Sequence, residues 1–280
     1  DRFRPTFTVD AEDKTDLASE GFARSREITV RATVPVHRTF RWADSFSVAW
    51  RRRRDTVEDT PTPQRLDLGG LELAWAISST QTYPFSISPV DGYRAQISYV
   101  KEAPGLGSSV SLGKLVGDAR AYARLFRADD AIAVHVAGGT TIGQPTFLRS
   151  FAVGGFPDGA LLDIVGTNEG VLRGYANDAF LGRRFLDANV EYRFPLAHPQ
   201  HGYRLVPVFV RHLHGTIFAD AGNAWSGALR WSELKTSAGA ALGADVFVGH
   251  ALPLTFTAGV ARGFADKGET RAYFRAGLAF

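Results

Sequence analysis

Three groups of side chains in this chain of 280 residues have types and spacings that could do chemistry. The first is a cation with acids that could meet it. Arg173 stands in VLRGYANDAFLG (171–182), Glu191 in FLDANVEYRFPL (185–196) and Asp220 in IFADAGNAW (217–225). A guanidinium is a planar fork of donors that fits a carboxylate two bonds at a time, and such charge-assisted bonds are strong. Taken alone, Arg173-Gly174-Tyr175 reads as an ordinary solvated loop. The second group is the run Arg51–Arg54, which follows Trp50 and precedes Asp55, Glu58 and Asp59. It reads as the charged rim where a strand leaves a membrane, with alternate arginines turned inward. A patch for phosphate or anionic lipopolysaccharide is the other reading. The third group is His198, His201, His212 and His214. Imidazoles ligate metals, but no carboxylate completes a ligand spacing, so no metal is expected.

Other chemistries find no support. There is no GxSxG and no Ser/His/Asp grouping, so no hydrolase is expected. Gly138–Gly139 and Gly154–Gly155 lack the strand-to-helix context of a phosphate loop and suit sharp bending or close loop packing. The reading is of a non-enzyme without cofactors. Cysteine is absent, which removes disulfides and thiolate metal sites. A net charge of +3 is too small to argue for nucleic acid. The chain also holds no Met and no visible signal peptide, and it reads as a processed product or a fragment.

The elements that would position these groups are strands. Ile28, Val30, Ala32, Val34 and Val36 share one face of their segment, and Glu27, Thr29, Arg31 and Thr33 share the other. Phe46, Val48 and Trp50 repeat the pattern, as do Leu71, Leu73 and Trp75. So do Ile132, Val134 and Val136, and later Val190, Tyr192 and Phe194. A period of two is that of a β-strand. The final RAYFRAGLAF puts Phe274, Ala276, Leu278 and Phe280 on one face up to the last residue. A soluble domain rarely ends on an unpaired edge, whereas the last strand of a membrane barrel closes on the first.

The apolar faces carry no charge, and the opposite faces carry Arg, Glu and Asp repeatedly. An Arg or Lys on the lipid side would cost ~2–4 kcal/mol at the midplane, so lipid selects this pattern. A soluble β-sandwich also alternates. Here, however, connections are short near 38–41, 127–130 and 249–252 and long near 52–64 and 144–183. Short turns at one end and long loops at the other describe an outer-membrane barrel. No run approaches the ~18 apolar residues of a membrane helix, while a barrel strand needs only ~9–11.

The fold expected is therefore all-β, a transmembrane antiparallel up-and-down β-barrel in a bacterial outer membrane. Its twelve strands lie near 4–12, 26–37, 43–54, 65–79, 92–102, 110–126, 130–143, 185–196, 211–223, 236–248, 253–264 and 270–280. The barrel forms one domain, 1–280, with a long extracellular loop over 144–184. Ile132, Val134, Val136, Val190, Tyr192, Phe256 and Leu278 should face outward, and Arg120, Arg124, Glu191 and Arg193 inward. Asp220 shares the polar parity of His214 and Thr216.

Together, 171–182, 185–196 and 217–225 resemble the BamA-type superfamily of outer-membrane assembly factors and two-partner-secretion transporters, the bacterial surface antigen barrels. In that family a long extracellular loop carries a [VI]RG[FY] motif and folds back into the lumen. Leu172 departs from the first position of the motif; Arg173, Gly174 and Tyr175 match the rest. The resemblance implies that Arg173 meets acids on the next two strands, at Glu191 and Asp220. It also implies a C-terminal sorting signal carried by Phe274, Gly277, Leu278 and Phe280. It covers 90–280; residues 1–90 fit as generic barrel strands.

Members of the family that it resembles usually have about sixteen strands, within the even-numbered range of outer-membrane barrels, and carry periplasmic POTRA domains. This chain shows twelve and no POTRA pattern, which implies a smaller barrel or further parts upstream. The implied function is insertion or translocation of proteins at the outer membrane. The implied partners are outer-membrane lipids, lipopolysaccharide and unfolded outer-membrane or secreted proteins. A passive pore, or an anchor for a fused soluble domain, is the alternative.

Overall fold

The computed structural model describes residues 4–18, 21–57, 64–83, 86–127, 129–143, 151–155, 162–163, 170–202, 208–249 and 252–278. The segments of alternating polarity are extended. The first seven strands are β1 (Thr6–Ala18), β2 (Gly21–Arg38), β3 (Ala43–Val57), β4 (Gln64–Ser78), β5 (Gly92–Glu102), β6 (Leu112–Ala123) and β7 (Ala131–Gly143). Three short strands follow, β8 (Phe151–Val153), β9 (Leu162–Asp163) and β10 (Phe180–Gly182). Then come β11 (Arg184–Ala197), β12 (His201–Gly202), β13 (Val208–Trp225), β14 (Lys235–Val248), β15 (Leu252–Gly263) and β16 (Thr270–Leu278). No helix among the described residues is long and apolar enough to cross a membrane.

One sheet takes the order β1-β2-β3-β4-β5-β6-β7-β11-β13-β14-β15-β16-β9, with β12 beside β13; β8 and β10 pair separately. The long strands among the described residues number the expected twelve. The chain divides into two compact units. One comprises 1–79, 95–117 and 140–149, the other 80–94, 118–139 and 150–280.

In the first unit β1 to β4 form an antiparallel ladder in which Val30 opposes Trp50 and Trp50 opposes Leu71. The apolar face is the exposed one. Ile28, Val30, Phe46, Val48, Trp50, Leu71, Leu73 and Trp75 keep 36% to 50% of their surface accessible. The face between them is the packed one, with Ala49 and Ala74 buried and Arg31 on Glu72 at 3.1 Å. This inverts a soluble sheet and leaves a continuous apolar surface for lipid to cover.

The hairpin of β1 and β2 runs further than the sequence suggests. The stretch 13–25 has no apolar face, so a hydrophobic period cannot reveal it. Its backbone still pairs, and charge joins the strands. Arg24 donates to both Asp13 oxygens at 2.9 and 2.6 Å, and Arg26 to Oδ2 at 3.2 Å.

The second unit repeats the inversion. Val190, Ile217, Leu242, Val260 and Phe274 are exposed, while Phe218, Ala241 and Ala261 are buried on the opposite face. Val134 and Val136 are exposed too; Ile132, Tyr192 and Phe256 are half-buried. Glu191, Arg193 and Arg120 border one cavity on the polar side. Arg124 corrects the expectation of an inward residue. The strand ends at Ala123, and Arg124 lies exposed in the turn, 5.1 Å over the Tyr83 ring.

Asp130 ends that strand. Its fully buried carboxylate accepts from the backbone N–H groups of Leu125 and Phe126 at 3.1 Å and from the Tyr192 hydroxyl at 3.0 Å. Burial pushes its carboxyl up, but donation from the Arg127 and Leu125 backbone and from Tyr192 outweighs this, and it titrates below the ordinary carboxylate range. The folded pKa is lowered, so its stabilisation is complete above the unfolded value and is lost as pH falls through the folded one. Asp130→Ala should lower the unfolding free energy by ~1–3 kcal/mol at neutral pH by stranding buried donors. Urea titrations in detergent should show that deficit shrinking on acidification below the carboxylate range.

Candidate functional site

The site is built by the loop between β7 and β11. Phe151–Val153 pairs with Phe180–Gly182, and the Gly155 N–H donates to Leu172 O at 2.8 Å. Leu172 and Tyr175 are fully buried, as is nearly all of Phe151, which packs on Phe185 with ring centroids 4.6 Å apart. The Tyr175 hydroxyl donates to Thr236 O at 2.8 Å and accepts from the Ala265 N–H at 3.1 Å. The Glu269 N–H donates to Gly174 O at 2.9 Å. The loop tip is thus tied to β14 and to the turn between β15 and β16.

Between Leu172 and Tyr175 the chain turns Arg173 onto the polar face of β11 and β13. Its Nε and Nη2 donate to the two oxygens of Asp220 at 2.9 and 2.5 Å, and Nη1 donates to Glu191 Oε1 at 2.8 Å. Its backbone N–H also donates to Asp220 Oδ2 at 3.2 Å. The guanidinium lies 3.4 Å from the centroid of the Phe218 ring. Asn189 and Ser237 donate to Asp220 at 3.1 and 3.2 Å, and Arg193 holds the far oxygen of Glu191 at 2.9 and 2.7 Å. Arg173 and Asp220 keep 8% and 3% of their surface. At that burial a charge is tolerated only when paired and hydrogen-bonded, and both are.

Space requires glycine at several positions around the loop, and two of them shape the clasp itself. Gly174 has φ +84, and a Cβ there would lie 2.5 Å from Gly263 N. Gly239 faces Phe218, where a Cβ would lie 2.5 Å from the ring edge. Without that gap the ring could not lie flat under the guanidinium.

Of the residues singled out in the sequence, Leu172, Arg173, Gly174, Tyr175, Glu191 and Asp220 are brought together here. Phe274 and Gly277 lie on β16, where Gly277 opposes Thr255; Leu278 ends the strand opposite Leu254. Phe280 lies outside the described residues. Residue types alone did not single out Asn189, Ser237, Phe218 or His135, although polar parity on neighbouring strands is a signal for the first and last. His135 lies 2.5 Å from Asp118 and 2.8 Å from Asn189. The other histidines fall together differently. His198 and His212 meet edge to face at 5.0 Å, and Asp245 lies 3.5 and 3.7 Å from His212 and His214. Among the described residues no three side chains are grouped to hold a metal.

A cavity of about 140 Å³ adjoins the pair, bordered by Arg120, Arg193, Arg275, His135 and Glu191. The arrangement positions and clamps; it offers no activated nucleophile next to a base.

This chain belongs to the Omp85 superfamily, whose domain matches residues 4–280. It is similar in structure to BamA from Haemophilus ducreyi lacking POTRA domains 1–3, with TM-score 0.64 and 13% identity over 96% of this chain and 58% of that one. It is also similar to CdiB from Escherichia coli, with TM-score 0.62 and 13% identity over 97% and 49%. The chain thus spans about half to three-fifths of the length of these proteins. No curated protein matches it in sequence. At such identity the likeness shows the fold, an all-β antiparallel sheet of the outer-membrane barrel class.

Gly174→Ala tests the clasp from the backbone side. The left-handed φ and the contact with Gly263 should cost ~1–3 kcal/mol. Limited proteolysis should then cut within 171–182 faster than in the parent, while the heat-modifiable mobility of the folded barrel is kept.

Proposed function

We propose that the chain is the membrane barrel of a machine that inserts or translocates unfolded proteins at the bacterial outer membrane. It acts by binding and positioning, without catalysis. The observation that supports this best is the buried clasp of Arg173 on Asp220 and Glu191. It fastens an otherwise long loop to the polar face of β11 and β13, which in a barrel faces the lumen. An anchored loop of this kind can hold lumen and strand ends in register while a client passes. β1 stands at one end of the strand order, and at the other β16 carries only the two-residue β9 along its outer edge. A client strand would add there by β-augmentation, using main-chain hydrogen bonds for affinity. Phe274, Gly277, Leu278 and Phe280 would act as the signal that brings the chain itself to the membrane. The partners are then unfolded outer-membrane or secreted proteins, within a bilayer of outer-membrane lipids and lipopolysaccharide.

The test is reconstitution of the chain in phospholipid vesicles with an unfolded outer-membrane protein as client. The client should become protease-protected faster than in empty vesicles, and Arg173→Ala should remove most of that gain while its barrel still folds. Vesicles that merely leak small solutes, with no gain in client folding and no effect of Arg173→Ala, would make the chain a passive pore.

A further inference from the structure

The arginine run after Trp50 is not absorbed by the clasp, and the ladder of β1 to β4 divides it between two faces. Arg51 and Arg53 lie on the polar face, with Arg51 on the buried Glu102 at 3.3 Å and Arg53 on Asp55 at 2.6 Å. Arg52 and Arg54 share the outward parity of Phe46, Val48 and Trp50. The register then stacks three rows beyond the row Val9, Val30, Trp50 and Leu71. They are Ala11, Ile28, Arg52 and Gly69; Asp13, Arg26, Arg54 and Asp67; and Thr15, Arg24, Thr56 and Arg65.

Five outward arginines therefore face two aspartates. Asp13 is shared by Arg24 and Arg26, at 2.6 and 3.2 Å, and Asp67 by Arg54 and Arg65, at 2.7 and 2.9 Å. Arg26 and Arg54 sit directly opposite each other, an arrangement that repels. Arg52 is exposed, and no ion pair or hydrogen bond holds it among the described residues. Two residues along a strand span ~6.6 Å and neighbouring strands lie ~4.8 Å apart, so the patch is roughly 15 Å across.

We propose that this patch binds the phosphate groups of an anionic outer-leaflet lipid, with Arg26, Arg52 and Arg54 as the central donors. The inference rests on the outer-membrane reading above. Guanidinium forks match phosphate oxygens, and a phosphate between Arg26 and Arg54 turns their repulsion into attraction. The row of Val30, Trp50 and Leu71 immediately below is apolar, with an aromatic at the level where headgroups begin. Phosphates above and acyl chains below fit one amphipathic lipid. The patch lies at the end of these strands where β3 gives way to the long connection before β4, opposite the 39–42 turn, which is the outer-leaflet end in the outer-membrane reading.

The experiment uses the whole chain folded in detergent, with bisphosphorylated lipid A and the same lipid after dephosphorylation, read by native mass spectrometry. The phosphorylated lipid should bind about tenfold or more tightly, in keeping with the attraction of each basic residue for anionic headgroups. Arg26→Gln/Arg52→Gln should erase that preference, and Arg53→Gln, on the other face, should keep it. Where the double variant does not fold, Arg52→Gln alone serves, since Arg52 supports no described side chain. Equal binding of both lipids, or a preference that survives loss of Arg52, overturns the proposal. So does inorganic phosphate stabilising the barrel as well as the lipid does. Insertion into phosphatidylcholine vesicles, scored separately, tests the membrane reading: a barrel that inserts without lipid preference refutes only the patch.

Discussion

A guanidinium that leaves water must find its counter-charges inside the protein, and Arg173 finds two. Asp220 takes it bidentately from β13 and Glu191 takes the remaining nitrogen from β11. Each acid is held in turn, Asp220 by Asn189 and Ser237 and Glu191 by Arg193. This is the condition under which a buried ion pair stabilises a structure, because removing any member strands a charge. The loop inherits its position from this pair. Leu172 and Tyr175 bury beside it, and Gly174 permits the turn that aims it.

The strands work under a simpler constraint. A sheet that meets lipid on one face must keep charge off that face, and a period of two does so along the apolar stretch of the strands. The same rule delivers Glu191, Asn189 and Asp220 to the opposite face at the level of the loop tip. It also explains the arginine run. Where the apolar rows stop at Trp50, alternation continues with charge on both faces, so Arg51 reaches Glu102 while Arg52 and Arg54 point outward.

Much of this was legible in the sequence because period-two alternation is strong in membrane strands. The strand number and the faces of Val30, Trp50 and Val190 follow from it directly. The extension of β1 to Ala18 was hidden, since Asp13 and Arg24 join those strands by charge rather than by apolar alternation. The early end of β6 was hidden too, because Asp130 acts on the backbone of Leu125 and Phe126 and leaves no periodic trace. At the site, residue type and parity select Arg173, Glu191 and Asp220. They do not show that Phe218 lies beneath the guanidinium, because that depends on the gap at Gly239, a neighbour only through register. The small pairing of β8 with β10 is likewise non-local, three residues against three.

The central claim is that Arg173 and Asp220 stabilise the loop through each other. A double-mutant cycle with Arg173→Ala and Asp220→Asn tests it most directly, with the opening free energy read from hydrogen exchange at the Gly174 and Tyr175 amides. The two losses should overlap, giving a coupling energy of about 2–3 kcal/mol. Losses that add to within ~0.5 kcal/mol would mean that the residues act independently and that the clasp does not hold the loop.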